Sequence, residues 1–179
     1  QLGIPVTETY AEELKKSRAI VANKKQAAET RLAHLGLLKF DREEYRIPLL
    51  FDLLNPTEPA DLQGESIGQL TDLRKASIAE ELVKIWGTLG PKTRSRAGDM
   101  LLYQPHNHEI LLTALENGDL ILGEMRFDLE RRRRLLWSKD ATIAARAEKL
   151  FSDSGVVTRK EAMASMLPAT KMKGDPAKG

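Results

Sequence analysis

His106 and His108 stand two residues apart behind Pro105, and imidazoles are the side chains best suited to hold a metal or move a proton near neutral pH. A metal site needs further ligands, and no third partner stands at a recognisable spacing from this pair. Both fall around an expected helix start, where a histidine caps the backbone or sits in solvent. His34 lies on another expected helix and reads as a boundary or solvent-facing residue. The carboxylate pairs Glu12-Glu13, Glu43-Glu44 and Glu80-Glu81 have the type for acid/base work but not the placement, because adjacent residues on a helix do not face each other. No GxSxG elbow, phosphate-binding P-loop or dinucleotide fingerprint occurs. The chain has no cysteine, which excludes disulfides, thiolate metal sites, cysteine nucleophiles and c-type haem attachment within it. The expectation is a non-enzymatic chain with no catalytic, cofactor-binding or metal-ligating residue.

The strongest charge feature is the run Arg131, Arg132, Arg133 and Arg134, which invites a phosphate backbone as partner. On a helix, however, successive residues turn by about 100°, so the four side chains spread around the circumference. A helix over Gly123–Trp137 would carry the apolar stripe Ile121, Met125, Leu129, Arg132, Leu136. Arg132 then falls on the packed face, with its stem against apolar neighbours and its guanidinium on a carboxylate or helix-end carbonyls. Asp128 and Glu130 precede Arg132 and Arg134 by four residues, the spacing of helical ion pairs. Asp140 is placed to cap the helix that starts at Ala141. These five residues, Arg131 to Arg134 and Asp140, are read as a structural or interaction set, with phosphate binding as the competing role.

The elements that must position them are helices throughout. Apolar spacing and Pro, Gly and Asn stops predict helices over 10–21, 27–39, 43–54, 61–73, 77–89, 92–103, 107–117, 123–137, 141–152 and 158–166. On the first, Tyr10, Leu14, Val21 and either Ser17 or Ala19 share a face, and on the second Leu32, Leu35 and Leu38 point inward. No stretch shows the alternating pattern of strands. Helices 27–39, 61–73 and 92–103 carry a degenerate motif, a small residue at +3 and a large apolar one at +7. It reads Thr30–Ala33–Leu37, Gln63–Ser66–Leu70 and Arg94–Ala97–Leu101, with starts 33 and 31 residues apart, and again Ala144–Ala147–Phe151. Helix pairs that cannot cover their own apolar faces stack, so the expected fold is all-α, a HEAT-like α-solenoid of antiparallel pairs. The domain reading is an N-terminal helix in 1–26, repeats over 27–152, a C-terminal helix in 153–173 and a linker at 174–179. Of the 179 residues 30% are charged, and the net charge is only +2, a mild balance for a nucleic-acid binder. The apolar runs fall far short of the ~20 residues that span a bilayer. The chain starts at Gln1 and ends in a Lys/Gly/Pro tail, and is expected to be a piece of something longer.

The segment GEMRFDLERRRRLLWSKDATIAARAEKLFSDSG and the tail GDPAKG resemble a region of the membrane-bound dehydrogenases of planctomycetes and related bacteria. The matching elements are the arginine-rich helix ending in Leu135-Leu136, the Lys139-Asp140 turn and the helix through Ala145-Arg146-Ala147-Glu148-Lys149-Leu150-Phe151. Residues 28–120 follow the family's degenerate repeats more loosely. In that family a helical, HEAT-like region joins a sugar-dehydrogenase-like β-propeller to a cytochrome c domain. The resemblance implies a non-catalytic connector in a multidomain redox protein, with haem c bound only by a downstream domain. It also implies export to the periplasm, and neighbouring domains or other proteins as partners rather than nucleic acid or the membrane. The alternative function is a nucleic-acid-binding helical-repeat module of the DNA-glycosylase-like kind.

Overall fold

A computed structural model describes residues 8–153. Among them every regular element is helical: α1 (Glu8–Ala22), α2 (Ala28–Leu37), α3 (Glu43–Asp52), α4 (Ala60–Asp72), α5 (Ala76–Lys84), α6 (Pro91–Tyr103), α7 (His108–Asn117), α8 (Leu129–Leu136) and α9 (Ala141–Asp153). Short 3-10 turns cover Leu38–Phe40, Trp86–Thr88, Pro105–Asn107 and Leu122–Met125. The expected helix over 158–166 and the tail 174–179 lie outside the described residues.

Helix ends fall where the sequence supplies a reason. Pro91 opens α6, where its missing N–H costs nothing. Gly118 adopts φ 81° and closes α7 with its N–H on the Leu115 carbonyl. Asp128 Oδ1 accepts the Arg131 N–H at 2.9 Å, and Asp140 Oδ1 accepts the Thr142 N–H at 2.8 Å, capping α8 and α9.

Alternate helices stack on each other. α2 packs on α4, α4 on α6 and α6 on α8, while α1 packs on α3, α5 on α7 and α7 on α9. Sequence neighbours such as α1 and α2, α3 and α4, or α8 and α9 join these two sets. The helices α3, α5, α7 and α9 begin at Glu43, Ala76, His108 and Ala141, steps of 33, 32 and 33 residues. Several polar bonds across the stacks keep nearly the same step. Gln69 Nε2 donates to the Leu35 carbonyl 34 residues earlier (2.9 Å), and Arg96 Nη1 to the Gly64 carbonyl 32 earlier (2.8 Å). Gln104 Nε2 donates to the Thr71 carbonyl 33 earlier (3.0 Å), and Arg146 Nη2 to Thr113 Oγ1, also 33 earlier (2.8 Å). Between the sets lies an aliphatic core in which Leu35, Leu50, Leu70, Leu82, Leu101 and Leu111 are fully enclosed. Each such side chain contributes roughly 1.5–3 kcal/mol by leaving water.

Three expectations are corrected. In the first motif copy, Thr30, Ala33 and Leu37 face solvent. The inward residues of this stretch are Arg31 with Leu35 and Leu38, the latter two as expected, and Leu32 is half-buried. A charged residue takes the inner position because Arg31 Nη1 meets Glu58 Oε2 at 2.7 Å, with both side chains buried. Ser66 and Ala97 are buried as expected. The copy Ala144–Ala147–Phe151 is also turned inward at Ala147 and Phe151, but α9 belongs to the other stack, on α7. Finally, no continuous helix covers 123–137. Arg126 sits in the left-handed region at φ 47°, and α8 starts only after the Asp128 cap. Ile121 and Leu129 are therefore exposed, and Leu135 is the residue of α8 that is fully buried. On α1, Ser17 and not Ala19 joins Leu14 and Val21 inside, and Tyr10, expected on the same face, is exposed.

Candidate interaction surface

The arginine run is divided among separate partners. Arg131 Nη2 forms an ion pair with Asp99 of α6, and its Nη1 donates to the Met125 carbonyl at 2.8 Å. Arg132 is half-buried. Its Nε donates to the Phe127 carbonyl at 2.9 Å and its guanidinium lies over the Phe151 ring, 5.5 Å from the centroid. Phe151 in turn meets Phe127 edge to face at 5.2 Å. Arg133 stacks on Trp137 at 4.8 Å and stands 3.8 Å from Glu130. Arg134 rests on Tyr103 of α6 at 5.0 Å. Two expected pairings are replaced: Asp128 is spent on the helix cap and does not pair with Arg132, and Glu130 reaches Arg133 at i+3 and not Arg134. Arg132 bonds a carbonyl just before its own helix, not a carboxylate or a helix end. The cause is the late start of α8, which turns every arginine relative to the expected stripe.

The four arginines thus do not share one open basic face, which a run gripping a phosphate backbone requires. Arg133 and Arg134 instead border an open cleft of about 870 Å³ between the turn after α6 and the turn after α8. Tyr103, His106, Trp137 and Lys139 complete its working surface. Trp137 is 72% exposed and Tyr103 is 45% exposed, so two aromatic faces lie open with guanidinium groups stacked on them. The lining charges nearly cancel, Arg133, Arg134 and Lys139 standing against Glu109, Glu130 and Asp140. Asp140 is committed to the α9 backbone, and Glu130 faces Arg133. Rigid aromatic rings beside charges of both signs suit a protein surface, where Trp, Tyr and Arg carry most contact energy.

The two histidines part company at this cleft. His106 is exposed, and His108 is buried with Nε2 donating to the Leu102 carbonyl at 2.7 Å. The expected solvent or capping role therefore fails for His108, because the turn at 105–107 folds its ring back against α6. His34 bridges α2 to Ser17 Oγ on α1 at 3.0 Å, a boundary position. Among the described residues no group of three or more His, Cys, Asp or Glu is placed to hold a metal. Sequence reasoning missed Tyr103 and Trp137 as surface residues. The available signal was a tryptophan at a helix end between arginines and Ser-Lys-Asp, a polar setting for a large ring.

No protein-family model, curated protein or solved structure matches this chain.

Proposed function

We propose that the chain is a non-catalytic helical-repeat scaffold, a HEAT-like α-solenoid that acts as a docking or spacer domain within a larger redox protein. The observation that supports the scaffold is the similar step of several of its polar bonds. Three in the set α2, α4 and α6 and one between α7 and α9 span 32 to 34 residues, the separation expected of stacked equivalent pairs. The cleft at Trp137 supplies a surface on which a neighbouring domain or protein can seat. The resemblance of residues 123–155 and of the tail to the segment that leads into a cytochrome c domain supports the redox parent and its periplasmic setting. In that arrangement haem belongs to the domain that follows.

The parent protein is the test. An antibody raised against this chain should precipitate a polypeptide larger than 20.0 kDa. That polypeptide should keep haem through denaturing electrophoresis, because thioether-linked haem survives unfolding. A haem-free parent would remove the redox reading and leave the scaffold to stand on its own geometry.

A further inference from the structure

A second cavity, of about 490 Å³, opens between the first turn of α6 and the 3-10 turn Leu122–Met125. Lys92, Arg94, Arg126 and Arg131 line it, with Ser95, against a single carboxylate, Glu124. That carboxylate is already engaged, since Glu124 Oε2 accepts from Trp86 Nε1 at 3.0 Å and Oε1 stands 3.4 Å from Arg94 Nη1. Arg131 is committed to Asp99 and the Met125 carbonyl. Arg94 reaches the Leu89 carbonyl at 3.2 Å through Nη2, yet its Nε is buried without an acceptor. Lys92 and Arg126 are exposed, and neither has an anionic partner among the described residues. The cavity therefore holds more positive charge than its own anion balances.

We propose that this cavity binds a phosphate monoester. A dianionic oxyanion would offset the surplus of Lys92 and Arg126. Guanidinium groups match such oxygens in geometry as well as charge. The start of α6 adds to the same field, because Gly90 caps it without a side chain and leaves first-turn N–H groups uncapped. A cavity of this size is at the lower end of the range for small-molecule sites, which suits a compact phosphorylated metabolite or side chain. The inference is independent of the scaffold reading and of the cleft at Trp137.

Inorganic phosphate is the probe. It is titrated into the full chain by calorimetry at pH 7.5, with sodium chloride holding the ionic strength constant. The expected result is saturable binding that weakens at least tenfold in a Lys92→Gln/Arg126→Gly double variant. Both positions are exposed, and glycine accepts the left-handed backbone at 126, so the variant should melt like the parent in chloride. Arg134→Ala, on the other cleft, should bind phosphate unchanged. Absence of saturable heat would overturn the proposal, as would full binding by the double variant or an equal loss in Arg134→Ala. A hydroxyl-ended thymidine oligonucleotide that displaced phosphate at equal phosphorus concentration would show a diester site and overturn the monoester assignment.

Discussion

Arg31 and Glu58 close an ion pair at 2.7 Å with only 4% of either side chain exposed, and Lys24 Nζ approaches Glu58 from the solvent side at 3.2 Å. Arg31 Nε also donates to the Val21 carbonyl at 2.8 Å, tying the end of α1 to α2. Burial alone would push the Glu58 carboxyl up. The bonds and charges of Arg31 and Lys24 together outweigh it and hold the group below its ordinary value. A carboxyl held low in the fold contributes stability that is present above its unfolded value of about 4.3. That contribution disappears as pH falls through the lower folded value. Glu58→Gln should therefore cost roughly 3–5 kcal/mol at neutral pH, because Arg31 is left buried without its counter-charge. It should also flatten the loss of stability that the parent shows below about pH 4. Urea melts at pH 7 and pH 3.5 check both; equal destabilisation at the two pH values would refute the linkage. This pair was not legible in the sequence. The small-then-large spacing selects Thr30–Ala33–Leu37, since the next register puts His34 at the small position, and nothing local tells that a turn glutamate 27 residues on will neutralise an inward arginine.

At the scale of single helices, α6 shows how the motif works and α2 shows where it does not. Ala97 is fully enclosed where α6 meets its neighbours, while Ala33 faces water. Ala97→Leu should overpack the contact and cost roughly 1–3 kcal/mol. Ala33→Leu should change stability by less than about 0.5 kcal/mol, as surface substitutions do. Chemical denaturation of the two variants side by side separates a motif that packs from one that only resembles it, and equal costs would sink the assignment. Helix boundaries were mostly readable because Pro, Gly, Asn and Asp act locally, as Pro91, Gly118 and Asp140 do. The start of α8 was not. Apolar residues at 121, 125 and 129 continue a helical spacing across Arg126, whose left-handed backbone breaks the helix and carries no mark in its residue type.

Across the described residues, the set α2, α4, α6 and α8 is packed between each pair of nearest members, and α4 and α6 have neighbours on both sides in their stack. The other set is packed at α1 and α3, at α5 and α7 and at α7 and α9. α1 and α9 have one each among the described residues. Such an arrangement opens from its ends, since local unfolding follows the number of packed neighbours. Native-state hydrogen exchange should show the slowest backbone amides in α4 and α6 and the fastest in α1 and α9. Uniform protection along the chain would argue for a single cooperative bundle instead. The all-α class was plain from the sequence. Which helix stacks on which was visible only through the period, because helices two apart in order share no local signal.

That period has a genetic consequence. The polar links from α4 to α2 and from α6 to α4 span 34 and 32 residues, and in the proposed solenoid successive interfaces are related by a shift of one helix pair. A duplication or loss of one whole pair, about one period of coding sequence, would leave every surviving helix beside a neighbour of the kind it already meets. Gain or loss of a single helix would not. It would put members of one stack into the other and turn each aliphatic face toward water. The proposed solenoid therefore has a reading unit of two helices, and length variation among descendants of this gene should be quantised in it.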